Sequence, residues 1–154
     1  MHPLSHRLFL CAAFCSANII LSPLLHAQDT KTIHNMRCTV TIPGDWIQKG
    51  AASAHAPGDH SITAFVRLSM KDDPAMLAAS VKNGSMSGVK AKIVDDNSKR
   101  IIVSSQPAGL RGKSTNRLHL ITKSDPACQA RVDFDDPSDA ATARKILDTT
   151  TGAQ

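Results

Sequence analysis

The run Met36-Arg-Cys-Thr-Val-Thr-Ile42 constrains the fold more than any other stretch, because strict alternation of apolar and polar side chains suits a half-buried strand. Met36, Cys38, Val40 and Ile42 fall on one face, with Arg37, Thr39 and Thr41 on the other. Pro43-Gly44 ends the run, since proline cannot donate to a ladder and glycine permits a turn. Trp46 follows, with the largest apolar surface in the chain, and is expected to fold back over the core.

The first 27 residues read as a secretory signal peptide: Arg7, an apolar run from Leu8 to Leu25, and Ala27 at the expected cut. Ser16, Asn18, Ser22 and Pro23 interrupt that run, which argues against a permanent span of about 20 apolar residues. Neither Cys11 nor Cys15 follows the small residue that a lipid anchor requires; Leu10 and Phe14 stand there. Residues 28–154 are then expected to form one exported domain, periplasmic or secreted, with membrane contact only during export.

Export leaves two cysteines, Cys38 on the inward face of the first run and Cys128 at the head of another. Two cysteines in an oxidising compartment point to one disulfide. Closing a loop of this length stabilises by roughly 4 to 5 kcal/mol in the chain-entropy account, as an upper figure. A reactive thiol at Cys38 would need an activating histidine or a helix N-terminus, and a mid-strand position supplies neither.

Composition narrows the function classes. The chain carries 18 basic and 13 acidic residues, and every acid is Asp. Beyond the leader the aromatic residues are Trp46, Phe65 and Phe134. A modest positive charge spread along the chain, with so few stacking rings, does not indicate nucleic-acid binding.

Further strands are expected over 61–70, 91–94, 100–103, 116–123 and 128–134, and helices after Asp72-Asp73-Pro74 and Asp135-Asp136-Pro137. Asp73 is expected to cap the first helix and Gly84 to stop it. Ala140, Ala143, Ile146 and Leu147 form the apolar side of the second. Residues 28–35 read as a loose lead-in, 48–59 as a mobile surface loop, and 149–152 as a tail. The expected fold is α+β: a single domain, largely an antiparallel sheet of about five or six strands, with two helices packed on it. Within that order, Val40-Thr-Ile-Pro-Gly-Asp-Trp46 resembles the strand and Pro-x-x-Trp opening of the PsbP/Mog1/DcrB-like α/β sandwich. The resemblance implies an antiparallel sheet flanked by helices and implies no particular activity.

Three groups of residues could carry function. Arg37, Arg67 and Arg131 occupy matching non-core positions on expected strands and could bind a carboxylate or an acidic partner. Alternatively, they pair with Asp133 and its like or cover the helices with their stems. His55, Asp59 and His60 could hold a zinc ion with water in the fourth position, the basis of a metal-dependent hydrolase reading. His119, inside a strand, reads as a satisfied, half-buried residue rather than a catalyst. Gly112-Lys113-Ser114 matches the end of a phosphate-binding loop, but Pro107 stands where its first glycine belongs and a strand follows. It reads as a basic surface turn.

No glutamate, nucleophile motif or cofactor fingerprint is present in the sequence. The expectation is a small disulfide-bonded domain acting by non-catalytic binding, without a cofactor, of a protein partner in the bacterial envelope, as an inhibitor or immunity protein does. The alternatives are the metal-dependent enzyme and a small-ligand carrier with a pocket lined by Trp46, Phe65 or Met70.

Overall fold

The computed structural model describes residues 29–58, 61–84, 89–107 and 115–152. The leader, Asp59, His60 and Gly112-Lys113-Ser114 lie outside them. In chain order the strands are β1 (Thr30–Asn35), β2 (Cys38–Pro43), β3 (Ile47–Gln48), β4 (Ser53–His55) and β5 (Thr63–Ser69). Helix α1 (Asp73–Lys82) leads to β6 (Lys90–Asp96), β7 (Arg100–Gln106), β8 (Asn116–Thr122) and β9 (Ala127–Phe134). A 3-10 turn at Pro137–Asp139 then opens α2 (Ala140–Asp148), and β10 (Thr151–Gly152) closes the chain.

The strands form two antiparallel sheets rather than one. A large sheet has seven strands in the order β3-β4-β5-β9-β8-β7-β6, and a small one has the order β1-β2-β10. The fold class is α+β as expected, with more strands than the sequence suggested. The additions fall in the stretches read as irregular. The lead-in is β1, whose single buried residue, Ile33, gives no apolar alternation to read. The loop at 48–59 contains β4 and part of β3, and the tail contains β10, each too short to show a period.

Cys38, Val40 and Ile42 are buried as the alternation requires. Met36 is not: it sits in the β1–β2 turn with φ 53° and is 79% exposed. Gly44 is set by close approach, since its N–H donates to the Asp29 carbonyl at 2.5 Å and an added Cβ would lie 2.6 Å from that oxygen.

One face of the large sheet meets the small sheet and α2, and this is where the core sits. Ile33, Val40 and Ile42 join Trp46, Val66, Leu120, Val132, Phe134, Ile146 and Leu147 in one buried cluster. The Cys38–Cys128 disulfide crosses it, tying the small sheet to the large one. Thr149 fastens the end of α2 to β2, its hydroxyl accepting from the Thr41 N–H at 2.8 Å. Helix α1 packs on the opposite face, where Leu77, Ala78 and Val81 cover Ile101, Val103, Ile121 and Ala127.

The two Asp-Asp-Pro junctions start their helices differently. At the first, Asp72 is the cap position and Asp73 is the first helical residue; the Asp73 carboxylate reaches back to accept from the Ser69 hydroxyl and, at 2.9 Å, the Met70 N–H. Those hydrogen bonds, the Ser69 one foremost, hold its pKa below the usual carboxylate range. At the second, Asp136 accepts from the Ser138 N–H at 2.8 Å and caps the 3-10 turn instead.

Candidate functional site

Antiparallel register decides which side chains share a face. Ser53, Phe65, Arg131, His119 and Val103 stand opposite one another across β4, β5, β9, β8 and β7. The next row contains Arg67, Gln129 and Ile121, and the row on the other side Thr63, Asp133 and Arg117. All of these alternate with core residues such as Ala64, Val66, Ala130 and Val132, so they project from the face opposite the main core. Helix α1 covers the β6–β8 part of that face and Ala127 at the start of β9, and among the described residues no other helix or second sheet packs extensively over the rest of β4, β5 and β9.

Arginine dominates the uncovered part. The Arg67 Nε donates to the neutral Gln129 side chain at 2.5 Å. Arg117 makes a two-pronged contact with Asp133 at 2.7 and 3.1 Å. The Arg131 Nε lies 3.3 Å from the same carboxylate. That contact is charge proximity without hydrogen-bond alignment, and the buried nitrogen has no hydrogen-bond partner among the described residues. The Arg131 guanidinium carbon stands 4.3 Å from the centroid of the Phe65 ring, a cation–π arrangement. Burial lowers the pKa of Arg131 and the nearby Asp133 opposes that shift. Ala52, Ser53, Phe65, Arg67, Gln129 and Arg131 border an open cleft of about 300 Å³.

His119 lies under this cluster with its Nε2 buried and unpartnered. Burial, followed by Arg67, Arg117 and Arg131, pushes its pKa down to about 4, with Asp133 acting in the other direction. The ring is therefore neutral at pH 7 and half-buried as its position in the strand suggested, but among the described residues its Nε2 lacks the hydrogen-bond partner that a satisfied core histidine would have.

The sequence-derived patch is brought together only in part. Arg67 and Arg131 meet at the cleft, but Arg37 lies in the β1–β2 turn, belongs to the small sheet and is exposed. Arg117 takes the third place. It was missed because the alternation of 116–123 is blurred by Leu120-Ile121, which are both buried, one toward each face. The pairing of Arg131 with Asp133, the bland alternative for these arginines, is present in the looser form already described. Of the proposed metal ligands, His55 is in β4, while Asp59 and His60 lie outside the described residues. No cluster of three or more metal-binding side chains occurs among the described residues. Of the residues expected to line a carrier's pocket, Phe65 borders this open cleft, Trp46 borders a separate open one beside Pro57 and Ile62, and Met70 is 76% exposed.

A second charged cluster lies elsewhere. Asp95 receives Arg144 at 2.8 Å and Arg100 at 3.2 Å, and both arginines also contact Asp148. It joins β6 and β7 to α2, and its charges are matched, so it reads as structural.

No protein-family model matches the chain, and no curated protein matches it. Among solved structures it is similar to the solution structure of cyanobacterial PsbP (CyanoP) from Synechocystis sp. PCC 6803. The two are 10% identical, with a TM-score of 0.45, over 85% of this chain and 96% of that one. The resemblance is weak and lies at the level of the fold. Fold and site together define a small disulfide-bonded α+β domain with a basic sheet face that the described elements cover only in part.

Proposed function

We propose that this protein is an exported binding domain that recognises a protein partner in the bacterial envelope through the uncovered β4–β5–β9 face. The observation that supports this reading is the cleft bordered by Phe65, Arg67 and Arg131, on a face that the remaining described elements leave open. An aromatic ring and paired guanidiniums on a rigid sheet are the side chains enriched where protein interfaces concentrate their binding energy. The buried disulfide suits an oxidising compartment, as does the leader read in residues 1–27. The site is a recognition surface; its neutral, enclosed His119 and salt-bridged Asp133 have the environment of scaffolding, and an inhibitor or immunity role fits it.

The test is affinity capture from envelope extracts with the purified, oxidised protein as bait, followed by titration of the captured partner against variants. Phe65→Ala, Arg67→Ala and Arg131→Ala are each expected to weaken binding by about tenfold or more, the scale of a substantial interface residue. A partner bound equally well by all three variants would remove this face from the interaction.

A further inference from the structure

The strand at the heart of the cleft has one edge only partly paired. All seven residues of β5 pair with β9, whereas β4 pairs with Thr63, Ala64 and Phe65 alone. The Val66 N–H still reaches the Ala52 carbonyl at 3.0 Å, and from Arg67 to Ser69 no described strand lies on that side. Leu68 is 38% exposed there, and Met70 follows it into solvent. An unpaired edge is a template for another extended chain unless something blunts it. The opposite edge of the large sheet is blunted: β6 carries exposed Lys90 and Lys92 and a register shift between Ile93 and Asp95. The β1 edge is occupied in part, its His34 N–H donating to Ala51 at 2.7 Å.

The gap beside β5 adjoins the arginine cleft. Arg67 and Arg131 each turn Nε inward, toward Gln129 and Asp133, which leaves their terminal nitrogens for a ligand. Around the neutral His119 stand Arg67, Arg117 and Arg131 against Asp133 and Asp73, an excess of one positive charge. That balance suits a monoanion. A dianionic phosphate would bring more charge than the excess and would meet Asp133 as well. The Phe65 ring offers an apolar wall for the methylenes that carry a carboxylate.

We propose that the gap beside Arg67–Ser69 takes an extended segment of a partner protein as an added strand, and that Arg67 and Arg131 receive one Asp or Glu side chain of that segment. The inference rests on the reading of this face as the partner-binding surface and names what it recognises. Backbone hydrogen bonds to β5 hold the segment, and the guanidiniums select its acidic position.

The experiment uses a display library of random octapeptides against the purified protein with its disulfide intact. Enriched peptides are expected to share an Asp or Glu at one position, flanked by strand-forming residues. Replacing that acid by its amide, or introducing Arg67→Ala, is expected to weaken binding by about tenfold or more. Arg67 is exposed, so its loss leaves folding intact, and a melting curve of Arg131→Ala shows whether that variant can be scored alongside it. The Leu68 amide is expected to become protected from hydrogen exchange when peptide is bound. Binders without an acidic position, indifference to Arg67→Ala, or an unchanged Leu68 amide would each overturn the proposal. If a captured envelope partner still depends on Phe65 and Arg67 while the library shows no acidic preference, the face reading stands and this inference falls. Capture indifferent to both residues removes both.

Discussion

The two faces of the large sheet are built from the same strands and do opposite things. On one, Ala64, Val66, Ala130 and Val132 meet a second sheet, a helix and a disulfide, and water is excluded. On the other, the residues between them are Phe65, Arg67, Arg131 and Asp133, and α1 covers only the far end. A period of two lets one strand hold a core on one face and display charged side chains on the other. Stability should therefore follow the inner face and binding the outer one.

The largest expected effect is on the inner face. Replacing Cys38 and Cys128 together by alanine releases a bridge spanning 90 residues, and urea unfolding should show a loss of about 2 to 5 kcal/mol. A loss below about 1 kcal/mol would mean that the two sheets hold together without it. Next, Leu147→Ala empties a fully buried site and should cost about 2 to 5 kcal/mol. Leu77→Ala, under the thinner α1 contact and only partly buried, should cost less. Equal losses would erase the contrast between the faces.

The outer face should register in the pH dependence instead. His119 has a folded pKa of about 4 against 6.5 when exposed, so the unfolded chain takes up its proton first as pH falls. The stability it contributes is fully present above pH 6.5 and is lost progressively toward pH 4, by about 3 kcal/mol at most. His119→Leu should flatten unfolding curves across that window, and a slope unchanged by the substitution would place the titration elsewhere. Asp136→Ala, which removes the cap at the second Asp-Asp-Pro junction, should cost about 1 kcal/mol in the same assay. The smallest stability effect belongs to Arg67→Ala, expected within about 0.5 kcal/mol of the parent, because the residue is exposed and its partner is a neutral Gln129. A large destabilisation there would make Arg67 a structural residue and blur the division of labour.

Much of the fold was legible wherever alternation was long enough to count. Cys38 to Ile42, Ile62 to Val66 and Cys128 to Phe134 are buried on the expected side, and the cysteines pair as their inward positions suggested. Leu68 and Met70 continue the pattern of 61–70 but are exposed, because the strand runs past the layer that covers it. Elements of two or three residues were invisible: β3, β4 and β10 exist because a neighbouring strand supplies their hydrogen bonds. Of the candidate site, Arg67 and Arg131 could be found as polar positions on strong strands. Arg37 groups with them in the sequence because Met36 continues the alternation, whereas the chain turns there at positive φ.

What the sequence determined by itself was local: alternation, helix-start chemistry, and two inward cysteines that could meet only if early and late strands became neighbours. The tertiary structure alone decided which strand lies beside which. That choice replaced Arg37 with Arg117, set Gln129 beside Arg67, and left one edge of β5, from Arg67 to Ser69, with no described strand beside it. The physical reason is that pairing order and register depend on contacts between residues far apart in the chain, and no local pattern records them.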